Sequence, residues 1–460
     1  MVRVTERVVV IGGDAAGMSA AATARRQAGD RLDIVVLERG HWTSYSACGI
    51  PYWLAGHVDG PAGLVARTPQ EHRDNGIDVR TATAATAIDL DARRVTVTSE
   101  GSGSESESQL TYDQLVLATG AEPVVPDVAG AGAAGVHGVQ TLDDGCRLLD
   151  TFGRLDETRP RRAVIVGAGY IGVEMAEACV VRGLETTLLD QADEPMSTVD
   201  PDLARRVRDA MQGMGITTVM GTSVEAFETD ADGRVTAVVT PGRSHPADLV
   251  ILGIGVRPRS ELARAAGLTL GRSGGIRTEA SMAVPGHPGV WAAGDCVESW
   301  DRVRRDFAHV PLGTHANKQG RIVGHNLSGD RLEFAGLLGT AITKVCDVEI
   351  GRTGLSHSMA VSDGRDPVSA TIESTTKAGY FPGAEPMTVR LTAERGGLLL
   401  GGQIVGRAGS ALRIDTVATA LWAGMSVRDL LDLDLAYAPP FSSVWDPVQV
   451  AARSLLGQLR

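Results

Sequence analysis

The chain has 460 residues, 43% of them hydrophobic, so two or three domains with buried cores are expected rather than disorder. Only 4% are aromatic and 56 are glycine, which suits alternating strands and helices joined by tight turns. A net charge of −12 without a long lysine or arginine run argues against nucleic-acid binding, and no run of about 18 apolar residues suggests a membrane span.

The opening "MVRVTERVVVIGG" leads straight into a predicted strand and lacks the apolar core and small-residue cleavage site of a signal peptide. "RVVVIGGDAAGMSAAATARR", Arg7 to Arg26, reads as strand, glycine turn and helix. The strand "DIVVLE" follows and ends at Glu38, with Arg39 next. Together they make a beta-alpha-beta dinucleotide fingerprint. Gly12 and Gly17 fill its first and last glycine positions, and Asp14 stands at the middle one. A carboxylate there has to point away from a bound pyrophosphate or bond to backbone. Glu38 is placed to accept hydrogen bonds from ribose hydroxyls.

Next comes "SYSACGIPY", residues 44–52, with a lone cysteine, Cys48. The residues after it predict a short helix with Pro51 in its first turn. Cys48 then sits at the positive end of that helix, where its thiol pKa is expected to fall. The other cysteines, Cys146, Cys179, Cys296 and Cys346, form no CxxC pair and no metal spacing and read as small buried residues. No metal is expected, and the scattered thiols fit a reducing cytosol, hence a cytoplasmic protein.

"RRVTVTSEGSGSESESQLTYDQLVLATG" predicts a strand pair with a loose, mobile tip over residues 99–109. "LVLATGAEP" at 115–123 predicts a strand leading to a domain crossover. A second fingerprint, "RAVIVGAGYIGVEMAEACVVRG", is complete, with Gly167, Gly169 and Gly172. Its second strand ends at Asp190, and "QADEPM" beyond it adds Asp193 and Glu194 with no nearby cation. A 2′-phosphate meets like charge there, which favours NADH over NADPH. Two nucleotide sites suggest one held cofactor and one that exchanges, with hydride passing between them. Further strands are predicted at "GRVTAVVT", "ADLVILGIG", "GVWAAGDCVE" (289–298), "TVRLTAE" and "LLLGGQIVG". A helix follows from about Leu412 to Ala423, then a tail rich in proline and aromatics.

Together the two fingerprints, "LVLATG", "GVWAAGDCVE" and "SYSACGIPY" resemble the pyridine nucleotide-disulfide oxidoreductases over essentially the whole chain. The lone-cysteine pattern resembles the coenzyme A disulfide reductase, NADH oxidase and persulfide reductase branch. The C-x4-C pair of two-cysteine members is absent, because Trp53 stands five residues after Cys48. The resemblance implies an α/β fold of two Rossmann-like dinucleotide-binding domains plus an α+β C-terminal dimerisation domain. It places an FAD-binding domain at 1–118 and 249–330, an NAD(P)H-binding domain at 119–248, and the dimerisation domain at 331–460.

It also implies tightly bound FAD at the first site, NAD(P)H at the second, and a homodimer. Cofactor contacts fall on Gly12, Gly17, Glu38, Arg39, Ala118, Gly120, Gly294 and Asp295 for FAD, and on Gly167, Gly169, Gly172 and Asp190 for the nicotinamide nucleotide. Asp295, in "AAGD", matches the aspartate that bonds the flavin ribityl chain. Cys48 is the implied redox thiol. Tyr437, in "YAPP", matches a tyrosine of the partner subunit that protonates the leaving thiol. A second aromatic matches at Tyr380, with Phe381 beside it as the alternative. Ser19, Thr23, Arg26 and Ser44 match positions that touch coenzyme A, and the first three share a helix face. Two departures stand out: Ala47 replaces an asparagine, and Asn75–Gly76 replace a lysine, with Arg67 or Arg73 placed to compensate.

The expected activity is NADH-driven reduction of coenzyme A disulfide or a related small disulfide or persulfide. The alternatives are an NADH oxidase or peroxidase cycling through a sulfenic acid, and a redox-sensing flavoprotein. The first helix lacks the histidine that peroxidase-type relatives present.

Overall fold

The computed structural model describes residues 5–101, 104–155, 158 and 161–459. The first fingerprint belongs to a five-stranded sheet, ordered Val290–Ala292, Gln114–Leu117, Glu6–Ile11, Leu32–Leu37 and Asp78–Arg80. All its pairings are parallel. Val8, Val9 and Val10 are wholly buried, as consecutive apolar residues must be when both faces of a parallel sheet are covered. Two helices, Ala15–Ala28 and Gly313–Leu327, pack on each other beside it. A methyl group on Gly320 would lie 2.2 Å from the Ala16 carbonyl oxygen, so the helices meet backbone to backbone.

The second fingerprint heads another parallel five-stranded sheet, ordered Thr217–Val219, Glu185–Leu189, Arg162–Val166, Leu249–Leu252 and Val136–Gly138. Its strand Leu249–Leu252 corrects the expected domain boundary at residue 249. That strand pairs with Arg162–Val166 and so belongs to the second domain. The chain returns only at Val256–Pro258, which pairs antiparallel with the outgoing strand Ala121–Pro123.

The expected loose tip at 99–109 is also corrected. Strands Arg94–Gly101 and Ser104–Thr111 run through most of it and pair antiparallel. Ser99 and Ser106 hydroxyls lie 2.9 Å apart across the pair, the kind of cross-strand polar contact that lets a serine-rich segment form a strand. Residues 102 and 103 lie outside the described residues.

The C-terminal domain is an antiparallel sheet, ordered Ala341–Val345, Val348–Gly354, Leu399–Gly406, Pro386–Glu394 and Pro367–Thr375. The helices Ile414–Trp422 and Pro447–Gln458 accompany it. Among the described residues no helix is long and apolar enough to cross a membrane.

Asp200 ties this domain to the second. It accepts hydrogen bonds from the Gln403 side chain (2.7 Å), the Ser358 hydroxyl (2.5 Å) and the Ser358 amide (3.1 Å), and it pairs with Arg390 at 3.1 Å. Burial opposes its charge, but the Ser358, Gln403 and Arg390 hydrogen bonds outweigh it and lower its pKa to about 2. The folded value lies below the unfolded one of about 4, so the charge stabilises the fold in full above about pH 4 and stops doing so as the pH falls toward 2. Asp200→Asn is expected to cost about 3 kcal/mol near neutral pH, read as a lower urea midpoint, with the deficit shrinking below about pH 4.

Candidate active site

A cleft of about 2290 Å³ runs between the two glycine turns and past Cys48. Its first wall is the turn Gly12–Ala15. Gly12 has φ +112°, and a methyl group on it would lie 2.0 Å from the Ala118 carbonyl oxygen. A methyl group on Gly17 would lie 1.9 Å from the Gly12 oxygen. Asp14 takes the backbone option open to it, accepting from the Tyr45 amide at 3.2 Å. Burial first, then the carboxylates Glu38 and Asp295, raise its pKa to about 7.

Glu38 accepts from the Gly13 amide and the Gly40 amide, each at 2.7 Å, one on each oxygen. Arg39, Ala118 and Gly120 line the same wall. Gly120, at φ +70°, has open space where a side chain would stand. Gly294 donates its amide to Gln319 at 2.8 Å, with φ +87° bringing it against Ala16. Asp295 faces the cleft, and burial raises its pKa to about 6.

On the second wall, a methyl group on Gly167 would lie 2.4 Å from the Gly253 oxygen, and one on Gly172 would lie 1.8 Å from the Gly167 oxygen. Gly169 differs, because the nearest atom to an added methyl group is 4.0 Å away. That leaves room at the N-terminus of helix Tyr170–Val181, where an anionic group is favoured. Asp190 accepts from the Ala168 amide (2.5 Å) and the Ala192 amide (2.8 Å). Arg205 and Arg208 do fold toward this acidic segment, but Glu194 pairs with both, at 3.3 and 3.1 Å.

Cys48 lies in the one-turn 3-10 helix Ala47–Gly49, directly before helix Ile50–Ala55 with Pro51 in its first turn. The residue is exposed to the cleft while its sulfur is partly desolvated by the surrounding walls, and no other cysteine lines the cleft among the described residues. Its acidity departs from expectation. Burial first, then the charges of Glu174, Asp295 and Asp14, push the thiol pKa up rather than down. The helix that follows has six residues, too short to offset several carboxylates. Of the four remaining cysteines, Cys179 and Cys296 are buried as expected, whereas Cys146 and Cys346 are half-buried. The Cys346 amide donates to Glu177 at 2.8 Å.

The remaining predicted site residues stand outside this cleft lining. The Ser19 hydroxyl donates to Asn317 at 2.8 Å. Thr23 is only 3% exposed, packed where Gly324 passes, and it accepts from Arg26 at 3.0 Å. Direct substrate contact by Thr23 is therefore corrected to a helix-packing role. Ser44, at φ +50°, lies 2.9 Å from the His72 ring. Arg73 is committed to the Val79 carbonyl oxygen and to Gln70. Tyr380 lies beside Tyr437 and raises the Tyr437 pKa. Both are exposed on the C-terminal domain. Phe381 turns toward Lys377 instead.

Sequence reading missed Glu174 and Tyr170, which line the cleft from the second fingerprint helix. Glu174 accepts from the Thr343 hydroxyl at 2.5 Å, and burial raises its pKa to about 7. The Tyr170 hydroxyl is buried without a partner. The signal for Glu174 was an acid among the small and apolar residues of "YIGVEMAEA".

The family model described as pyridine nucleotide-disulphide oxidoreductase matches residues 6–320, and its dimerisation domain matches residues 340–448. The chain is 34% identical to an NADH oxidase of Methanocaldococcus jannaschii, covering 98% of this chain and 99% of that one. It is 36% identical to a CoA-dependent NAD(P)H sulfur oxidoreductase of Pyrococcus furiosus, with coverage of 98% and 99%. Among solved structures it is similar to the NAD-dependent persulfide reductase from A. fulgidus, with a TM-score of 0.93, 37% identity, and coverage of 98% of this chain and 83% of that one. The chain belongs to the pyridine nucleotide-disulphide oxidoreductase family. It is a flavin-dependent enzyme using NAD(P)H, of the NADH oxidase, coenzyme A disulfide reductase and persulfide reductase group.

Proposed function

We propose that this member of the family reduces coenzyme A disulfide, or a related small disulfide or persulfide, with electrons from NADH through the single thiol of Cys48. The observation that carries the reading is one exposed cysteine in a cleft shared by two dinucleotide turns. The residues fit the two nucleotides. The wall Gly12–Ala15 with Glu38, Arg39, Ala118, Gly120, Gly294 and Asp295 would hold FAD. The open space at Gly169, with Gly167, Gly172 and Asp190, would hold NADH. Bound FAD supplies a carrier that takes hydride from the nicotinamide and hands an electron pair to sulfur.

The chain's own residues do the rest. The Cys48 thiolate displaces one thiol from the substrate disulfide and forms a mixed disulfide. The displaced thiolate needs a proton. Tyr437 of the partner subunit, with that subunit's Tyr380 beside it, is the proposed donor, reaching the cleft from a second copy in a homodimer. Arg26 and Ser44 are the proposed contacts for a coenzyme A moiety. Asp190 and Asp193 disfavour a 2′-phosphate, and Arg205 and Arg208 are held by Glu194. Five free cysteines support a reducing, cytoplasmic setting.

The test is anaerobic NADH consumption with coenzyme A disulfide, other small disulfides and polysulfide in parallel, repeated with NADPH. Turnover with at least one acceptor, faster with NADH, is expected. No turnover above background with any of them sinks the reading. Oxygen uptake matching NADH consumption would move it to the oxidase activity named for the M. jannaschii relative.

A further inference from the structure

The second fingerprint helix carries two acids that the nucleotide turn does not use. Glu177 is committed: it accepts from the Cys346 amide at 2.8 Å and lies 3.5 Å from the Lys344 ammonium. Glu174, one turn earlier, faces the cleft instead. Among the described residues its one hydrogen-bond donor is the Thr343 hydroxyl, at 2.5 Å, and no cation pairs with it. The Cys48 turn is held close by. Helix Ile50–Ala55, which continues that turn, is tied to the end of Glu174's helix by Arg182, whose Nε donates to the Leu54 oxygen at 2.6 Å.

After burial, three acids bear on the Cys48 thiol, Glu174 foremost, then Asp295 and Asp14, while the cations Arg39, Arg259, Lys318 and Arg321 line the same cleft. Tyr52, on the helix beyond Cys48, faces Glu174 and Glu177. Glu174 in turn faces Glu177. Two like charges on neighbouring walls of a partly dehydrated cleft cannot both form cheaply.

We propose that Glu174 and Cys48 share one negative charge, so that the thiolate forms readily only while Glu174 keeps its proton, with Thr343 of the C-terminal domain holding the carboxyl in place. The inference rests on the reading of Cys48 as the reacting thiol. It makes Glu174 a positioning residue that controls nucleophilicity without touching substrate. It also couples the redox turn to the C-terminal domain, because the hydroxyl on Glu174 comes from strand Ala341–Val345.

The experiment is iodoacetamide alkylation of the FAD-loaded protein across about pH 5 to 10, resolved by mass spectrometry to the peptide containing Cys48. Glu174→Gln is expected to lower the midpoint of Cys48 alkylation by about one pH unit, making the thiol about tenfold more reactive near neutral pH. Glu177→Gln is the control and is expected to shift it much less. Thr343→Val removes the hydrogen bond that favours the Glu174 carboxylate, so it is expected to shift the midpoint in the same direction as Glu174→Gln. It also provides a second reading should Glu174→Gln fold poorly.

Superimposable profiles for the parent and Glu174→Gln, or for the parent and Thr343→Val if only that variant folds, overturn the proposal. A shift no larger than that of Glu177→Gln overturns it too. Alkylation needs no substrate, so its outcome separates the two readings. A protein that reduces no disulfide but shows the shift refutes the proposed activity alone. Turnover without the shift refutes the shared charge alone.

Discussion

Cys48→Ser is expected to leave a protein that still accepts electrons from NADH but passes none to a disulfide. A serine hydroxyl is scarcely ionised near neutral pH and forms no mixed disulfide, so exchange chemistry has no starting nucleophile. No other cysteine can take over. Cys179 and Cys296 are buried, and Cys146 and Cys346 do not line the cleft. Disulfide-dependent NADH consumption should therefore fall by about three orders of magnitude or more.

Bleaching of the flavin by NADH should persist, because the walls around Gly12 and Gly169 do not use the thiol. Rapid-mixing absorbance separates the two steps. Unchanged turnover in Cys48→Ser would remove the thiol from the mechanism. Loss of both steps would mean the substitution had damaged the cleft itself. A further signature follows from the acids around Cys48. Because burial, and after it these acids, push its thiol upward, activity in the parent should keep rising with pH through the neutral range rather than level off below it.

Gly172→Ala and Gly169→Ala, two substitutions within one turn, should fail in opposite ways. A methyl group on Gly172 would stand 1.8 Å from the Gly167 oxygen and 2.9 Å from its carbonyl carbon. Both are backbone atoms of the turn, so relief requires moving helix Tyr170–Val181 off its sheet. Gly172→Ala is expected to cost about 3 kcal/mol or more, read as a lower unfolding midpoint and poor yield.

Gly169 has φ −76° and no atom nearer than 4.0 Å to an added methyl group. Gly169→Ala should therefore fold as the parent does. The methyl group instead takes the space at the helix N-terminus where a pyrophosphate would lie, and KM for NADH should rise about tenfold with little change in melting temperature. Normal stability together with normal NADH affinity in Gly169→Ala would place the nucleotide elsewhere.

Both glycine turns, the lone thiol and a separate strand-and-helix C-terminal domain were legible in the sequence. Each rests on a local signal: a glycine where the chain must turn or touch itself, an apolar run that ends in an acid, a helix begun at Pro51. Such signals depend on residues a few positions apart, which is why they survive without tertiary knowledge. The Asp14 carboxylate was read in the same way, and its bond to the Tyr45 amide is one of the two outcomes its position allowed.

Tertiary structure alone decided what depends on residues far apart in the chain. Strand Leu249–Leu252 looks the same in sequence whichever sheet it joins, and only its pairing with Arg162–Val166 assigns it. Thr23 shares a helix face with Arg26, yet the passage of Gly324 buries it. The acidity of Cys48 was misread for the same reason. The local helix start argues for a lower pKa, while burial first, and then carboxylates from residues 174, 295 and 14, argue for a higher one, and together they outweigh it. Turn chemistry is set by neighbours along the chain, whereas electrostatics sums over neighbours in space, and only folding brings those three acids to one sulfur.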